Sequence, residues 1–282
     1  MVVVVLGAAP ALAKSYRVVE ADVTIAVNAD GSITVREDLT FSFDGSFSGA
    51  YRDIPVRPGE EITSVVVSEN AVDYAPGAPT GLGSSGDPGS FGVTDLGSIV
   101  RVVWHYRASD ERRTFSITYR MEGLAVAYDD VVDVNFKVWG QEWAFELDRL
   151  SAAMIVPSGA QPGEVLVWGH AASAPGSTSL GPDGLSPTLE ATNVPSHQWV
   201  EMRVVFPRAL LSSVDGAQVE AGDGLEGILA DEADFAGDLE LNAERRAQET
   251  RRLRATLAAV GLFLIPIPFG ILWAFRRYGS EP

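Results

Sequence analysis

The sequence lacks cysteine and has very little histidine. Of its 282 residues none is cysteine, and three are histidine, at positions far apart in the chain. The lack of cysteine excludes disulfide bonds, iron–sulfur clusters, thiol nucleophiles and the common structural zinc sites. Three scattered histidines do not provide a metal-binding spacing either. We therefore predict neither a metal site nor a cofactor.

Basic residues are scarce in most of the chain and are concentrated near its end. Residues 243–282 hold seven Arg against three Glu, while residues 1–242 hold 14 basic and 35 acidic side chains, a net charge near −21. Such a surface repels phosphate groups, which argues against a nucleic acid partner. The charge indicates either solubility outside the cell or binding of a cation or a basic partner.

Catalytic motifs are absent as well. The sequence contains no G-x-S-x-G elbow, no H-E-x-x-H helix and no P-loop. We therefore do not expect an enzyme.

Two apolar segments indicate where the protein is located. Residues 1–13 are apolar, are too short to cross a bilayer and end in a small-x-small pattern, which predicts a signal peptide cleaved after Ala13.

Residues 255–275 carry no charge and lie between arginines; at about 1.5 Å per residue they match a bilayer of roughly 30 Å. This predicts one transmembrane helix in the lipid, with residues 276–282 beginning a cytoplasmic segment. Pro266 and Pro268 should kink the helix, which suggests a helical membrane partner.

Two rules disagree about the orientation of this helix. The arginines before the span favour a cytoplasmic location for that flank, whereas a cleaved signal peptide places the preceding region outside the cytoplasm. Large domains are translocated largely regardless of charge, so the signal peptide is the stronger argument. We expect a protein of the cell membrane, single-pass over these residues, with its N-terminal domain outside.

The region between the apolar segments has the period of β structure. Apolar and polar residues alternate on both sides of a turn at residues 28–31, which predicts a β-hairpin. About ten such short strands predict that residues 14–222 form an antiparallel, immunoglobulin-like β-sandwich. Residues 75–92 and 171–187 are rich in Gly, Ser and Pro and are predicted to be long loops. Residues 223–254 are rich in Ala, Glu, Leu and Arg, which predicts a helical stalk.

One acidic residue interrupts an apolar row. The alternation places Glu37 on the same strand face as Val35 and Leu39. A buried carboxylate needs a partner or a raised pKa, and Arg52 is the candidate partner. The pair is interpreted as a structural ion pair at the rim of the core or, alternatively, as part of a ligand site.

A second group of residues is a candidate ligand or cation surface. Its carboxylates could bind calcium or act in acid–base chemistry, although solvated acids are the simpler interpretation. Its tryptophans could stack on the sugars of an envelope polymer, although aromatic side chains of sandwiches more often pack in the core. The residues are Asp129, Asp130, Asp133, Trp139, Glu142 and Trp143.

A further set of short motifs extends along the chain. They are Asp30-Gly31-Ser32, Val35-Arg36-Glu37, Phe41 to Phe43, Phe47 to Ile54, Phe115 to Tyr119, Val138-Trp139-Gly140 with Trp143, Phe206-Pro207 and Arg277-Tyr278-Gly279. Together these motifs resemble domain-of-unknown-function family 2207, a family of predicted bacterial membrane proteins. The resemblance implies a signal peptide, an extracytoplasmic β domain and following membrane helices, and it brings no catalytic residues.

Together these patterns predict a membrane-tethered extracytoplasmic module that binds an unknown protein or envelope polymer. Two alternatives stay open. The first is an envelope hydrolase that uses two converging carboxylates. The second is a calcium-stabilised, adhesin-like domain.

Overall fold

A computed structural model describes residues 14–171, 174–264 and 276–277. The chain divides into two compact units, Met1–Leu225 and Glu226–Pro282. The first unit contains β structure arranged in three sheets, and the second is helical over its described residues. The predicted signal peptide at residues 1–13 lies outside the described residues.

The largest sheet has eight strands in the order β14-β15-β12-β1-β2-β9-β4-β5. Its strands are β1 (Ser15–Val27), β2 (Ile33–Asp44), β4 (Glu61–Glu69), β5 (Val72–Asp73), β9 (Arg112–Glu122), β12 (Leu147–Ile155), β14 (Gly176–Leu180) and β15 (Pro187–Val194).

The two smaller sheets have four and five strands, in the orders β3-β8-β7-β6 and β13-β16-β11-β10-β17. The strands of the four-stranded sheet are β3 (Ser46–Pro55), β6 (Ala75–Pro76), β7 (Ser90–Asp95) and β8 (Ile99–Ser109). Those of the five-stranded sheet are β10 (Val126–Ala127), β11 (Val131–Trp139), β13 (Leu166–Ala171), β16 (Val200–Pro207) and β17 (Gln218–Val219). A short 3₁₀ helix, Arg208–Leu210, follows β16.

The predicted hairpin is confirmed by the pairing of β1 with β2. Val27 lies opposite Ile33, and the Asn28 amide donates a hydrogen bond to the Ser32 carbonyl at 2.8 Å. Gly31 takes a φ of 82°, a conformation that costs glycine little because it has no Cβ. The turn and the alternation together fix which side chains of β2 face inward.

The prediction of a purely antiparallel sandwich is wrong at the centre of the large sheet. There β1 pairs in parallel with β12, with Ala21 opposite Leu150, while its other edge pairs antiparallel with β2. An alternation of apolar and polar residues is the same whether two strands pair in parallel or antiparallel. The connection from β1 to β12 contains β2–β11 and is long enough to permit the parallel arrangement. Three mixed sheets also differ from the two antiparallel sheets of an immunoglobulin domain, so that finer prediction is not confirmed.

The core lies between the inward face of the large sheet and the smaller sheets. On the side of the four-stranded sheet, Phe41 and Phe115 pack against Trp104 and Tyr106, with ring centroids 4.6–6.2 Å apart. These four side chains are at most 2% exposed. Burying aromatic rings of this size supplies much of the driving force for folding. The core therefore brings β2 and β9 close to β3 and β8.

The two segments predicted as long loops contain regular structure. Residues 75–92 include β6 and the start of β7, and residues 171–187 include β14, with residues 172–173 outside the described part. A Cβ at Gly86 would lie 2.4 Å from the His105 ring, so the first segment packs closely on β8. Gly86 allows the backbone of this segment to approach the His105 ring closely. A glycine-rich composition is the same for a closely packed segment and for a flexible loop, so the sequence does not distinguish them.

The helical unit consists of α1, which begins at Leu225 and continues to Leu264. Among the described residues, no helix contains an apolar stretch long enough to cross a membrane. The predicted span at residues 255–275 continues beyond this helix, and residues 265–275, including both prolines, lie outside the described part.

Candidate functional site

A cavity of about 200 Å³ lies beside the edge strand β3. Its walls come from β1, β2, β3, β8 and the segment 142–145, which connects β11 to β12. We call this cavity the aromatic cleft. It is lined by Tyr16, Phe41, Phe47, Gly49, Ala50, Tyr51, Arg52, Asp53, Tyr106, Glu142, Trp143, Ala144 and Phe145.

Tyr16 is the centre of the aromatic wall. Its ring lies 4.7 Å from that of Phe145 and 5.5 Å from that of Phe47, the latter in an edge-to-face arrangement. Burial, together with the nearby Tyr51, raises the pKa of the Tyr16 hydroxyl, which therefore stays neutral at physiological pH. The rings form a wall of apolar faces with one neutral phenol.

Beneath this wall, Glu37 and Arg52 form a buried ion pair between the large sheet and β3. Arg52 Nε donates to Glu37 Oε2 at 2.9 Å, and Arg52 Nη2 donates to Glu37 Oε1 at 3.2 Å. Glu37 is 3% exposed and Arg52 is 4% exposed. The Tyr119 hydroxyl donates to Glu37 Oε1 at 3.0 Å, and Arg52 Nη1 donates to the Asp53 carbonyl at 2.6 Å. The pair is thus fully coordinated within the protein.

Electrostatics stabilise the charge of the Arg52 guanidinium. Burial alone would lower the pKa of Arg52, but the carboxylate of Glu37 outweighs it and raises that pKa. Burial and the charge of Glu37 both raise the pKa of Tyr119 well above its usual value. The phenol therefore remains a hydrogen-bond donor to Glu37.

The two predicted surface tryptophans pack against each other. The rings of Trp139 and Trp143 stack with centroids 4.6 Å apart and an interplanar angle of 8°. Trp139 is 2% exposed, and the Arg52 guanidinium lies over the Trp143 ring, 5.4 Å from its centroid. Their aromatic faces are used inside the domain, which leaves Trp139 no free face for a sugar.

Asp129, Asp130 and Asp133 lie near the start of β11. The carboxylate of Asp130 accepts hydrogen bonds from the Gly224 and Leu225 amides, at 2.7 and 3.2 Å. Burial opposes its charge, but these backbone donors prevail and lower its pKa. The Gly222 amide donates to Asp129 at 3.0 Å, and Asp133 forms an ion pair with Arg203 at 2.7 Å. All three carboxylates are engaged by the protein itself.

The predicted ligand surface is therefore divided between the two ends of β11. Strand β11 has nine residues, so at about 3.3 Å per residue it is roughly 30 Å long, and Asp130 precedes it while Glu142 follows it. Only Glu142 and Trp143 of that group line the aromatic cleft. Within the described residues, no cluster of three or more His, Asp or Glu side chains is placed to hold a metal ion.

Sequence reasoning missed most of the wall of the cleft. Tyr16, Phe47, Tyr51 and Phe145 belong to three separate segments that meet only in the folded domain. The local signal is the pair Trp143 and Phe145, two residues apart in the connection between β11 and β12, whereas the edge position of Phe47 and Tyr51 is apparent only in the fold. Tyr51 is exposed, and Phe47 and Phe145 are partly exposed, and a contiguous apolar surface of this kind indicates a binding site.

The sequence matches a family model along most of this β unit. Residues 17–206 match the model described as "Predicted membrane protein (DUF2207) N-terminal domain". The chain belongs to this family. The resemblance noted from the motifs is thereby confirmed, and the DUF2207 match extends from the third residue of β1 through most of β16.

Other comparisons are distant. No curated protein matches the sequence. The DUF2207 chain is similar to a "putative nutrient binding protein" of Legionella pneumophila, at 11% identity and a TM-score of 0.41, over 68% of this chain and 67% of that one. It is also similar to an M1 zinc metallopeptidase of Deinococcus radiodurans, at 10% identity and a TM-score of 0.36, over 66% of this chain and 42% of that one. Similarity this low carries no functional argument.

Proposed function

We propose that this DUF2207 protein is a membrane-tethered, extracytoplasmic binding module whose ligand site is the aromatic cleft. The observation that carries the proposal is a cavity of about 200 Å³ lined by seven aromatic side chains beside a buried, fully coordinated ion pair. Cavities of concave shape with mostly apolar walls and few polar groups are the usual form of ligand sites. The ion pair fixes β3, and thereby the wall, in position.

The membrane tether is part of the proposal. It is supported by membership in a family of predicted membrane proteins and by the uncharged segment 255–275 between arginines. The segment 1–13 supports export of the β domain. In intact cells, added protease should digest the domain while a cytoplasmic marker stays whole. A domain that is digested only after cell lysis would refute the extracytoplasmic location.

Site-specific photocrosslinking in the native membrane tests the cleft. A photoreactive amino acid replaces Tyr51, which lines the cleft and is 45% exposed. The matched control replaces Val72, which is 66% exposed at the far edge of the large sheet. We expect an adduct from position 51 that is absent from position 72. Equal adducts at both positions, or none at position 51, would contradict binding through the cleft.

A hydrolase in the same cavity would need two free carboxylates. Of the two acids that line the cleft, Asp53 accepts two hydrogen bonds from Arg101, at 2.6 and 2.7 Å, whereas Glu142 is exposed. Because Asp53 is held by Arg101, Glu142 is the one free acid of the cleft among the described residues, and hydrolysis by a carboxylate pair needs two. This arrangement supports binding better than acid–base catalysis.

A further inference from the structure

The aromatic cleft has the composition of a site for an organic cation. Cations within about 6 Å of an aromatic centroid are attracted by the negative face of the ring. Among the described residues, four cations already lie over rings of the cleft in this way. They are Lys14 over Phe47 at 5.0 Å, Arg52 over Trp143 at 5.4 Å, Arg101 over Tyr51 at 5.2 Å and Arg113 over Tyr106 at 5.8 Å.

The charge balance of the cleft also favours a cation. Arg52 is neutralised by Glu37, and Arg101 is neutralised by Asp53. Glu142 has no salt bridge among the described residues and is exposed beside Trp143. Its carboxylate already acts electrostatically on the Arg52 guanidinium. Glu142 is thus the carboxylate with which an incoming cation can pair when it displaces Lys14 from the Phe47 ring.

The size of the cavity limits the ligand. Pockets for drug-sized molecules have volumes of about 300–1,000 Å³, whereas this cavity has about 200 Å³. It has room for a head group of a few heavy atoms. An alkylammonium group combines this size with an apolar surface that stacks on aromatic rings and a charge that Glu142 can balance.

We infer that the aromatic cleft binds an alkylammonium group, with Tyr16, Phe47 and Phe145 as its wall and Glu142 as its counter-ion. This inference rests on the proposed binding function and names its ligand class. Lys14 lies on the Phe47 ring and is the cation that such a ligand displaces.

Titration of the full chain with two probe molecules tests whether the ligand is an alkylammonium group. The protein is placed in nanodiscs of phosphatidylglycerol, which has no ammonium group, and binding is followed by saturation-transfer NMR. The probes are choline and its neutral carbon isostere, 3,3-dimethylbutan-1-ol. We expect choline to bind at least about fivefold more tightly than the isostere, which is about 1 kcal/mol. Equal binding of both probes, or no binding of choline, would overturn the inference.

Matched variants locate the counter-ion. Glu142→Gln should weaken choline binding about three- to fivefold and leave the isostere unchanged, since it removes one ion pair at a partly exposed site. Glu146→Gln removes the same charge from the same connection, but Glu146 does not line the cleft, so binding should stay the same. Lys14→Ala should tighten choline binding. Equal losses in the two glutamate variants would show attraction by overall charge only and would overturn the assignment.

The source of the ammonium group is tested separately. In nanodiscs that contain phosphatidylcholine, a rise in the apparent Kd of free choline assigns the site to a lipid head group, and an unchanged Kd assigns it to a soluble ligand. Both results support the alkylammonium class. The photocrosslinking test distinguishes the two proposals, because an adduct at position 51 without choline binding refutes the ligand class and leaves the binding function intact.

Discussion

Glu37 and Arg52 join two sheets of the domain through a bidentate ion pair in which both residues are less than 5% exposed. Charges in the core are expensive to desolvate, and this cost is offset only when each hydrogen-bonding group has a partner. Here Tyr119 and the Asp53 carbonyl supply the remaining partners. The pair therefore positions β3 against β2, and with it one wall of the aromatic cleft.

Removing one member of this pair should be much worse than removing both. Glu37→Leu leaves a guanidinium buried without its carboxylate, so we expect a loss of about 3–5 kcal/mol in the free energy of unfolding. The double variant Glu37→Leu with Arg52→Met should recover at least about 2 kcal/mol, although the Tyr119 hydroxyl loses its acceptor. Urea unfolding followed by tryptophan fluorescence measures the free energy of unfolding of the single and the double variant.

The surface pair Arg17–Asp148 is the matched control for this experiment. Its side chains are 54% and 45% exposed, so Asp148→Ala should change the free energy of unfolding by less than about 1 kcal/mol. A Glu37→Leu variant as stable as Asp148→Ala would contradict a structural role for the buried pair.

Acid should remove the contribution of Asp30 to stability. The Ser32 hydroxyl, then Arg120 and the Ser32 amide, lower the pKa of Asp30 to about 2 in the folded protein, against about 3.9 in the unfolded chain. Because the folded pKa is the lower one, the stabilisation is present above about pH 4 and is lost as the pH falls toward 2.

Asp30→Asn tests this linkage. The carboxylate is partly exposed, so after allowance for solvent screening we expect the variant to be less stable by about 0.5–1 kcal/mol at neutral pH. The difference should shrink in unfolding curves measured at decreasing pH below about 4. A difference that stays constant down to about pH 2 would show that hydrogen bonding of the neutral group, and not its charge, stabilises the turn.

Local patterns in the sequence were sufficient for the hairpin and for the inward position of Glu37, because the period of a strand fixes which face a residue takes. Arg52 is the candidate partner because a buried carboxylate needs one, and the structure joins the two residues. The parallel pairing of β1 with β12 could not be predicted, since it depends on which distant strands meet and not on their composition. The aromatic cleft could not be predicted for the same reason, because Tyr16 and Phe145 are neighbours only in space.

Stacking of Trp139 on Trp143 should produce a spectroscopic signal. Two indoles 4.6 Å apart and nearly parallel couple their electronic transitions, so we expect an exciton couplet in the circular dichroism spectrum. Trp143→Phe should abolish the couplet. Trp199→Phe is the control, because it also removes one tryptophan, but the Trp199 ring lies under the Lys137 ammonium and is not part of the stacked pair. A couplet that survives Trp143→Phe, or that is lost in both variants, would contradict the stacked arrangement.

A single methyl group at position 140 should displace the proposed counter-ion. A Cβ on Gly140 would lie 1.9 Å from Glu142 Oε2, so Gly140→Ala forces the carboxylate away. The obstacle is the tip of an exposed, flexible side chain, and the stability of the domain should therefore change by less than about 1 kcal/mol. Choline binding should weaken about as much as in Glu142→Gln, without a change for the neutral isostere.

Combining the two substitutions decides whether Gly140→Ala acts through Glu142. If it does, the variant with both Gly140→Ala and Glu142→Gln should bind choline no more weakly than Glu142→Gln alone, because the same interaction cannot be lost twice. Gly81→Ala, at a loop position where the added methyl group would make an ordinary contact with Ser84 Cβ at 4.0 Å, should leave choline binding unchanged. Additive losses in the combined variant would mean that the methyl group disturbs the aromatic wall itself, and the role of Glu142 as counter-ion would then rest on the charge variants alone.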